Sequence, residues 1–329
     1  MMPDLSQQGA SPQIAPPSNP QAPVVYFQGV SKTYGRIHAL SNITLGLSGG
    51  VTGILGMNGA GKSTLFKLLM GKLRPSSGEV KLFGVNPWKN PAPYARVGFV
   101  PEHEKMHDWM TALDFVSTFA RLHGMTRDEA KEEALRVLDF VGLAEVANKE
   151  IGRFSKGMRQ RTKIAHALVN DPDLIILDEP LQGCDPLART TIMNVIRELG
   201  KMGRTVLVSS HILSEIERIT EQIIILHHGK LVALGNLHAI RERLDQIPHT
   251  IRLVGTDSRA LAKDILTHPA VYGLSFPNDN ELLIQTYHFG ELHAELPGLI
   301  VNNGHDVSEI DNPDDDLESL LNYLTGGSS

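Results

Sequence analysis

The chain is predicted to be an α/β protein built on a mainly parallel core sheet. Three observations lead there. Apolar strands alternate with helices through the middle of the chain. The strand Val51–Leu55 runs into the glycine-rich stretch Gly56-Met57-Asn58-Gly59-Ala60-Gly61-Lys62-Ser63-Thr64 and then into a helix. The apolar run Asp173–Leu177 is continuous rather than alternating and ends on Asp178-Glu179-Pro180, as a strand buried on both faces does.

The elements follow in order. Residues 1–23 carry one charge, Asp4, among many Pro, Gln and Ser, and read as a disordered tail rather than a signal peptide. Strands are expected at Val24–Gly29, His38–Leu47 and Val51–Leu55, and pairing among them predicts an antiparallel sheet at the start. Lys62–Leu73 has helical spacing through Leu65, Leu68 and Leu69, and Gly78–Phe83 and Val97–Val100 return as strands. Ala112–His123 and Arg127–Val141 are amphipathic helices, the second opening on Thr126 with Glu129 three residues later as a capping box. Lys156–Val169 is a helix, and Pro186–Leu199 is another with proline in its first turn. Thr205–Ser209 is a buried strand, Leu213–Ile219 a short helix, and Gln222–Leu234 a hairpin turning at His228-Gly229.

A helix at Leu237–Leu244 leads to a different unit. Its order is strand Thr250–Val254, helix Arg259–Leu266, strands Val271–Phe276 and Glu281–Tyr287, helix Gly290–Val301 and strand Val307–Ile310. That is the split βαββαβ pattern of a ferredoxin-like module. A last helix is expected at Asp316–Leu324, where the acidic run Asp311–Asp316 suits a helix N-terminus.

Bulk properties narrow the class. The 329 residues are enough for two domains, and 41% hydrophobic with 21% charged residues is globular. A net charge of -6 and a pI near 6.2 provide no electrostatic reason to expect nucleic acid as a partner. The single cysteine, Cys184, excludes an intrachain disulfide and is compatible with a reducing cytosol. No run of apolar residues is long enough to span a membrane, so a role there would need a separate subunit.

The chemistry lies in two motifs. Gly56–Ser63 fits G-x-x-x-x-G-K-[ST] between a strand and a helix, the context a phosphate-binding loop requires. Glycines let backbone N–H groups converge on phosphate oxygens, and the helix N-terminus adds partial positive charge. Lys62 is expected to reach the β and γ phosphates and Ser63 to bind Mg²⁺. Asp178 is placed to hold Mg²⁺ through its water shell, and Glu179 to orient or deprotonate the attacking water. Together these supply the parts of a nucleoside triphosphatase.

Between them lies Phe154-Ser155-Lys156-Gly157-Met158-Arg159-Gln160. With that segment in place, the chain resembles the nucleotide-binding subunit of an ATP-binding cassette (ABC) transporter over about Val24 to Leu244. The resemblance implies a P-loop NTPase cassette at 24–245, with an antiparallel β subdomain and a permease-facing helical insert at about 103–155. Residues 246–329 become a small α+β accessory or regulatory domain. It also implies ATP and Mg²⁺, a second cassette subunit, an integral membrane permease, and a place on the cytoplasmic face of the membrane through that permease. Ser155 and Gly157 then face the γ-phosphate held by the other subunit. Tyr34 matches the aromatic that stacks on adenine. Among 14 histidines only His211 takes a role, sensing γ-phosphate, while His227 and His228 are read as an exposed hairpin turn. Asp185 matches the loop that communicates across the dimer.

Departures from the family pattern are specific. Glu102 stands where the family usually has glutamine, at a position that contacts Mg²⁺; a carboxylate also binds a hard cation. Lys156 and Met158 replace glycine and glutamine, and Lys156 either donates to a phosphate or points to solvent. Cys184 replaces the commoner leucine as a packing residue. The resemblance implies ATP hydrolysis coupled to export, the direction typical of the subgroup with this signature. The competing class is a soluble cassette of translation or DNA maintenance. Translation cassettes usually come paired in one chain, and DNA-maintenance ones carry coiled coils absent here.

Overall fold

The computed structural model describes residues 23–103, 105–237, 239, 240, 249–311, 321 and 324. The expected tail at 1–23 lies outside these except for Pro23. So does most of the helices expected at Leu237–Leu244 and Asp316–Leu324.

Strands β1 (Val25–Tyr34), β2 (Ile37–Leu47) and β3 (Gly50–Leu55) precede helix α1 (Lys62–Leu69). Strands β4 (Ser77–Leu82) and β5 (Val97–Val100) lead to helices α2 (Ala112–Leu122), α3 (Arg127–Phe140) and α4 (Lys156–Leu168). Strand β6 (Leu174–Leu177), helix α5 (Pro186–Lys201), strand β7 (Thr205–Ser210), helix α6 (Leu213–Glu217) and strands β8 (Gln222–His227) and β9 (Lys230–Asn236) follow.

The core sheet has the order β5-β6-β7-β3-β8-β9, parallel except for β9. Its side chains alternate between two cores. Leu174, Ile176 and Leu207 pack toward α1, whereas Ile175, Leu177, Val206 and Val208 pack toward α4 and α5. Every residue of β6 and β7 is buried, which explains their unbroken apolar runs.

The antiparallel sheet is β2-β1-β4. The structure therefore corrects the expected pairing: Val51–Leu55 joins the core sheet, and its place is taken by β4. The reason is burial. The last four residues of β3 are all buried, so it needs cover on both faces, whereas β4 alternates and can leave one face to solvent. Helix α1 lies between the two sheets through Leu65, Phe66, Leu68 and Leu69. It stops at Leu69 rather than Leu73, with left-handed Gly71 closing the turn.

Helices α2 and α3 pack on α4, with Ala130, Ala134, Val137 and Leu138 forming the buried stripe of α3. The Thr126–Glu129 capping box is complete in both directions. The following unit comprises β10 (His249–Gly255), α7 (Ser258–Ile265), β11 (Gly273–Asn278), β12 (Glu281–Thr286), α8 (Phe289–Asn302) and β13 (Val307–Asp311). Its antiparallel sheet runs β11-β12-β10-β13, the order of a split βαββαβ module, over a core of its own. Beyond it, Leu321 is buried in the main core and Leu324 packs against it, so the chain returns to the first unit. Among the described residues no helix is long and apolar enough to cross a membrane.

Candidate functional site

Four neighbouring strands deliver the sequence-predicted residues to one place. Glu102 follows β5, Asp178 and Glu179 follow β6, His211 follows β7, and the glycine loop follows β3. Because these strands are parallel, all four chain segments leave at their carboxyl ends, where α/β sheets bind ligands. A cavity of about 440 Å³ opens there. Met57 to Thr64, Glu102 and Glu179 line it.

The loop is built by close approach. A Cβ on Gly56 would meet the Leu226 carbonyl at 2.7 Å, and one on Gly61 would meet Leu40 at 2.7 Å. Gly61 also takes φ 109° as it enters α1, a conformation natural only to glycine. No side chain caps α1, so its first N–H groups remain directed at the cavity.

Lys62 is 7% exposed. Its Nζ donates to the Gly56 carbonyl at 2.5 Å and pairs with Glu179 Oε1 at 3.2 Å. Glu179 Oε2 in turn meets His211 Nδ1 at 3.0 Å. The chain thus joins Lys62, Glu179 and His211 into one string. Glu179 is held at φ 49°, in the left-handed region that non-glycine residues seldom occupy. Its N–H donates to Ser209 Oγ at 2.8 Å, and the Ser209 hydroxyl donates to Asp178 Oδ1 at 2.8 Å. Ser209, fully buried, is therefore a positioning residue that sequence reading misses. Its apolar strand gives no sign of it.

Burial raises the Asp178 carboxyl above its ordinary range; hydrogen bonds from Ser209 and Ser63 oppose this, and the charges of Glu102 and Glu179 add to it. Three carboxylates and one lysine leave the site short of positive charge. Among the described residues no three His, Cys, Asp or Glu side chains form a metal site by themselves. A hydroxyl and one or two carboxylates, completed by phosphate oxygens and water, are what Mg²⁺ requires, so the donor set fits that ion.

Other predicted residues lie elsewhere. Tyr34 ends β1 beside the cavity, 43% exposed, but does not line it; Lys32 Nζ sits 5.2 Å from its ring. Ser155 caps α4 by accepting from Met158 N at 3.3 Å, and Asp185 caps α5 by accepting from Ala188 N at 2.9 Å. Gly157 is buried against α5, where a Cβ would meet the Ala188 methyl at 2.3 Å. Lys156 is exposed, and its ammonium lies over Gly183, 2.0 Å from where a Cβ there would sit. Cys184 is buried, and burial raises its thiol. Ile37, His38, Ala39, Gln182 and His228 line the cavity although no motif marks them.

Residues 40–182 match the model of the family described as ABC transporter. The bacitracin transport ATP-binding protein BcrA of Bacillus licheniformis is 33% identical over 308 residues, spanning 92% of this chain and 98% of that one. The chain belongs to the ABC transporter family. It is an ATP-binding subunit. The Nod factor export ATP-binding protein I of Burkholderia orbicola is 34% identical over 243 residues, covering 73% of this chain and 79% of that ABC protein. A solved dimeric ABC cassette in a post-hydrolysis state with ADP and Pi is 29% identical, with a TM-score of 0.59 over 65% of this chain and 98% of that one.

Proposed function

We propose that this subunit binds ATP with Mg²⁺ in the cavity, hydrolyses it within a dimer of cassettes, and so drives a separate membrane permease in export. The observation that carries the reading is the Lys62–Glu179–His211 string standing over an uncapped helix N-terminus. Phosphate oxygens compete with Glu179 for Lys62, because they offer stronger charge than one carboxylate. Glu179, freed of the lysine and still held by His211, accepts a proton from the attacking water. Ser63 and Asp178, with Glu102 alongside, would hold Mg²⁺, which would neutralise phosphate charge.

Ser155 and Gly157 lie outside the cavity of their own chain, which accords with their serving a second subunit's γ-phosphate. Asp185 and Tyr34 keep their assignments to cross-dimer communication and adenine stacking. The insert exposes Trp109 at 75% and Leu122 at 76%, apolar surface suited to a permease. Relatives named for bacitracin transport, Nod factor export and linearmycin resistance support export. The subunit then sits on the cytoplasmic face through its permease. The module at 246–329, in which the elements from β10 to β13 have a core of their own, serves as a dimer-stabilising or regulatory domain.

The test is Glu179→Gln in the presence of ATP and Mg²⁺. ATP should be retained, phosphate release should stop, and the chain should elute as a dimer. Hydrolysis at the parental rate would remove Glu179 as the base.

A further inference from the structure

We infer that His228 contacts the nucleoside of the bound nucleotide, forming with Ile37 and His38 the wall against which base and ribose lie. This rests on the cavity being the ATP site.

The first observation is topological. β8 lies beside β3 in the same parallel sheet, with Leu55 opposite Ile225. It is the fifth strand in the parallel row β5-β6-β7-β3-β8, and the residue that follows it, His228, lines the cavity. The sequence marks only a hairpin turn there, and His228 is indeed exposed in that turn.

The second is that the turn is fastened. Gly229 N donates to the Ala60 carbonyl of the phosphate loop at 3.0 Å, and its carbonyl accepts from Ser41 N on β2 at 2.8 Å. A Cβ on Gly229 would meet the Ala39 carbonyl at 2.7 Å. His228 itself holds φ 46°, and its ring stands against His227 at 4.1 Å between centroids, edge to face. The imidazole is therefore presented from a backbone clamped to both the phosphate loop and β2. A rigidly presented ring loses little freedom when it binds.

The third is the division of the cavity. Its phosphate half is the glycine loop with the α1 N-terminus, Lys62 and Glu179. Glu102 and Gln182 line it too, alongside Glu179; the remaining wall, Ile37, His38, Ala39 and His228, carries no carboxylate. Tyr34, proposed above to stack on adenine, is not part of this wall, and among the described residues the rings within it are the two imidazoles, which would meet the nucleoside in addition to Tyr34. Bases stack on histidine as on other aromatic rings.

The experiment is calorimetric titration of the full chain with ATP and, separately, with inorganic tripolyphosphate, each with Mg²⁺. The variants are His228→Asn and His228→Gly, both of which accept positive φ, and Lys62→Ala. Melting without nucleotide confirms that each variant is folded. Both His228 variants should weaken ATP by at least about five-fold, the low end for loss of a ring–base contact, and leave tripolyphosphate unchanged. Lys62→Ala should weaken both ligands. Normal ATP affinity in the two His228 variants, or equal loss of ATP and tripolyphosphate, overturns the assignment. Undiminished binding of both ligands by Lys62→Ala overturns the ATP-site reading beneath it.

Discussion

Lys62 and Glu179 form an ion pair at 3.2 Å with side chains only 7% and 8% exposed. The residue that should grip phosphate and the residue that should activate water thus satisfy each other. Removing one partner strands a buried charge, which costs about 3–5 kcal/mol. Lys62→Ala should therefore destabilise the nucleotide-free chain as well as weaken ATP binding. Lys62→Ala with Glu179→Gln should recover part of that stability in urea unfolding. A double variant no more stable than Lys62→Ala would show that the pair does not hold the empty site together.

Asp178 tests the charge shortage. Its carboxyl is raised by burial, so the folded state holds the proton more tightly than the unfolded state. Stability is then greatest below the ordinary aspartate range and falls as pH rises through the raised value. Asp178→Asn should stabilise the nucleotide-free protein at neutral pH, with the advantage shrinking toward acid. Thermal unfolding from pH 4 to 8 checks this, and a variant less stable at every pH contradicts it.

His166 predicts acid sensitivity of the opposite sign. It is wedged against Phe119 at 4.4 Å and Phe115 at 5.7 Å between centroids. Burial lowers its pKa from 6.5 to about 4. The unfolded chain therefore takes the proton first, and stability falls as pH drops from about 6.5 toward about 4. His166→Leu should flatten the unfolding profile in that window. An unchanged slope would place the acid sensitivity elsewhere.

Gly157 has a reason to be glycine that involves no phosphate. Its missing side chain lets α4 approach Ala188. Gly157→Ala should cost about 1–3 kcal/mol of stability in the isolated chain through overpacking. Adding Ala188→Gly should restore packing. If Gly157→Ala leaves unfolding unchanged, the close approach is not a constraint.

Much of this fold is legible in the residues alone. Periodicity locates nearly every described helix and strand, because the α-helical and pleated repeats are local. The Thr126–Glu129 box is legible for the same reason. Strand partnership is not. Val51–Leu55 follows two strands of an antiparallel sheet yet joins another, because burial on both faces outweighs adjacency in sequence.

The sequence by itself determined the phosphate-loop motif, the carboxylate pair and the family, since each depends on residues in short succession. Only the tertiary structure decided that Lys62 meets Glu179, that Glu179 meets His211, and that Ser209 anchors the strand end. It also decided that Ser155 and Gly157 stay out of their own cavity while His228 enters it. The physical reason is the sheet order β5-β6-β7-β3-β8. That order follows from how apolar strands are covered on both faces, and it sets side by side the ends of segments far apart in the chain.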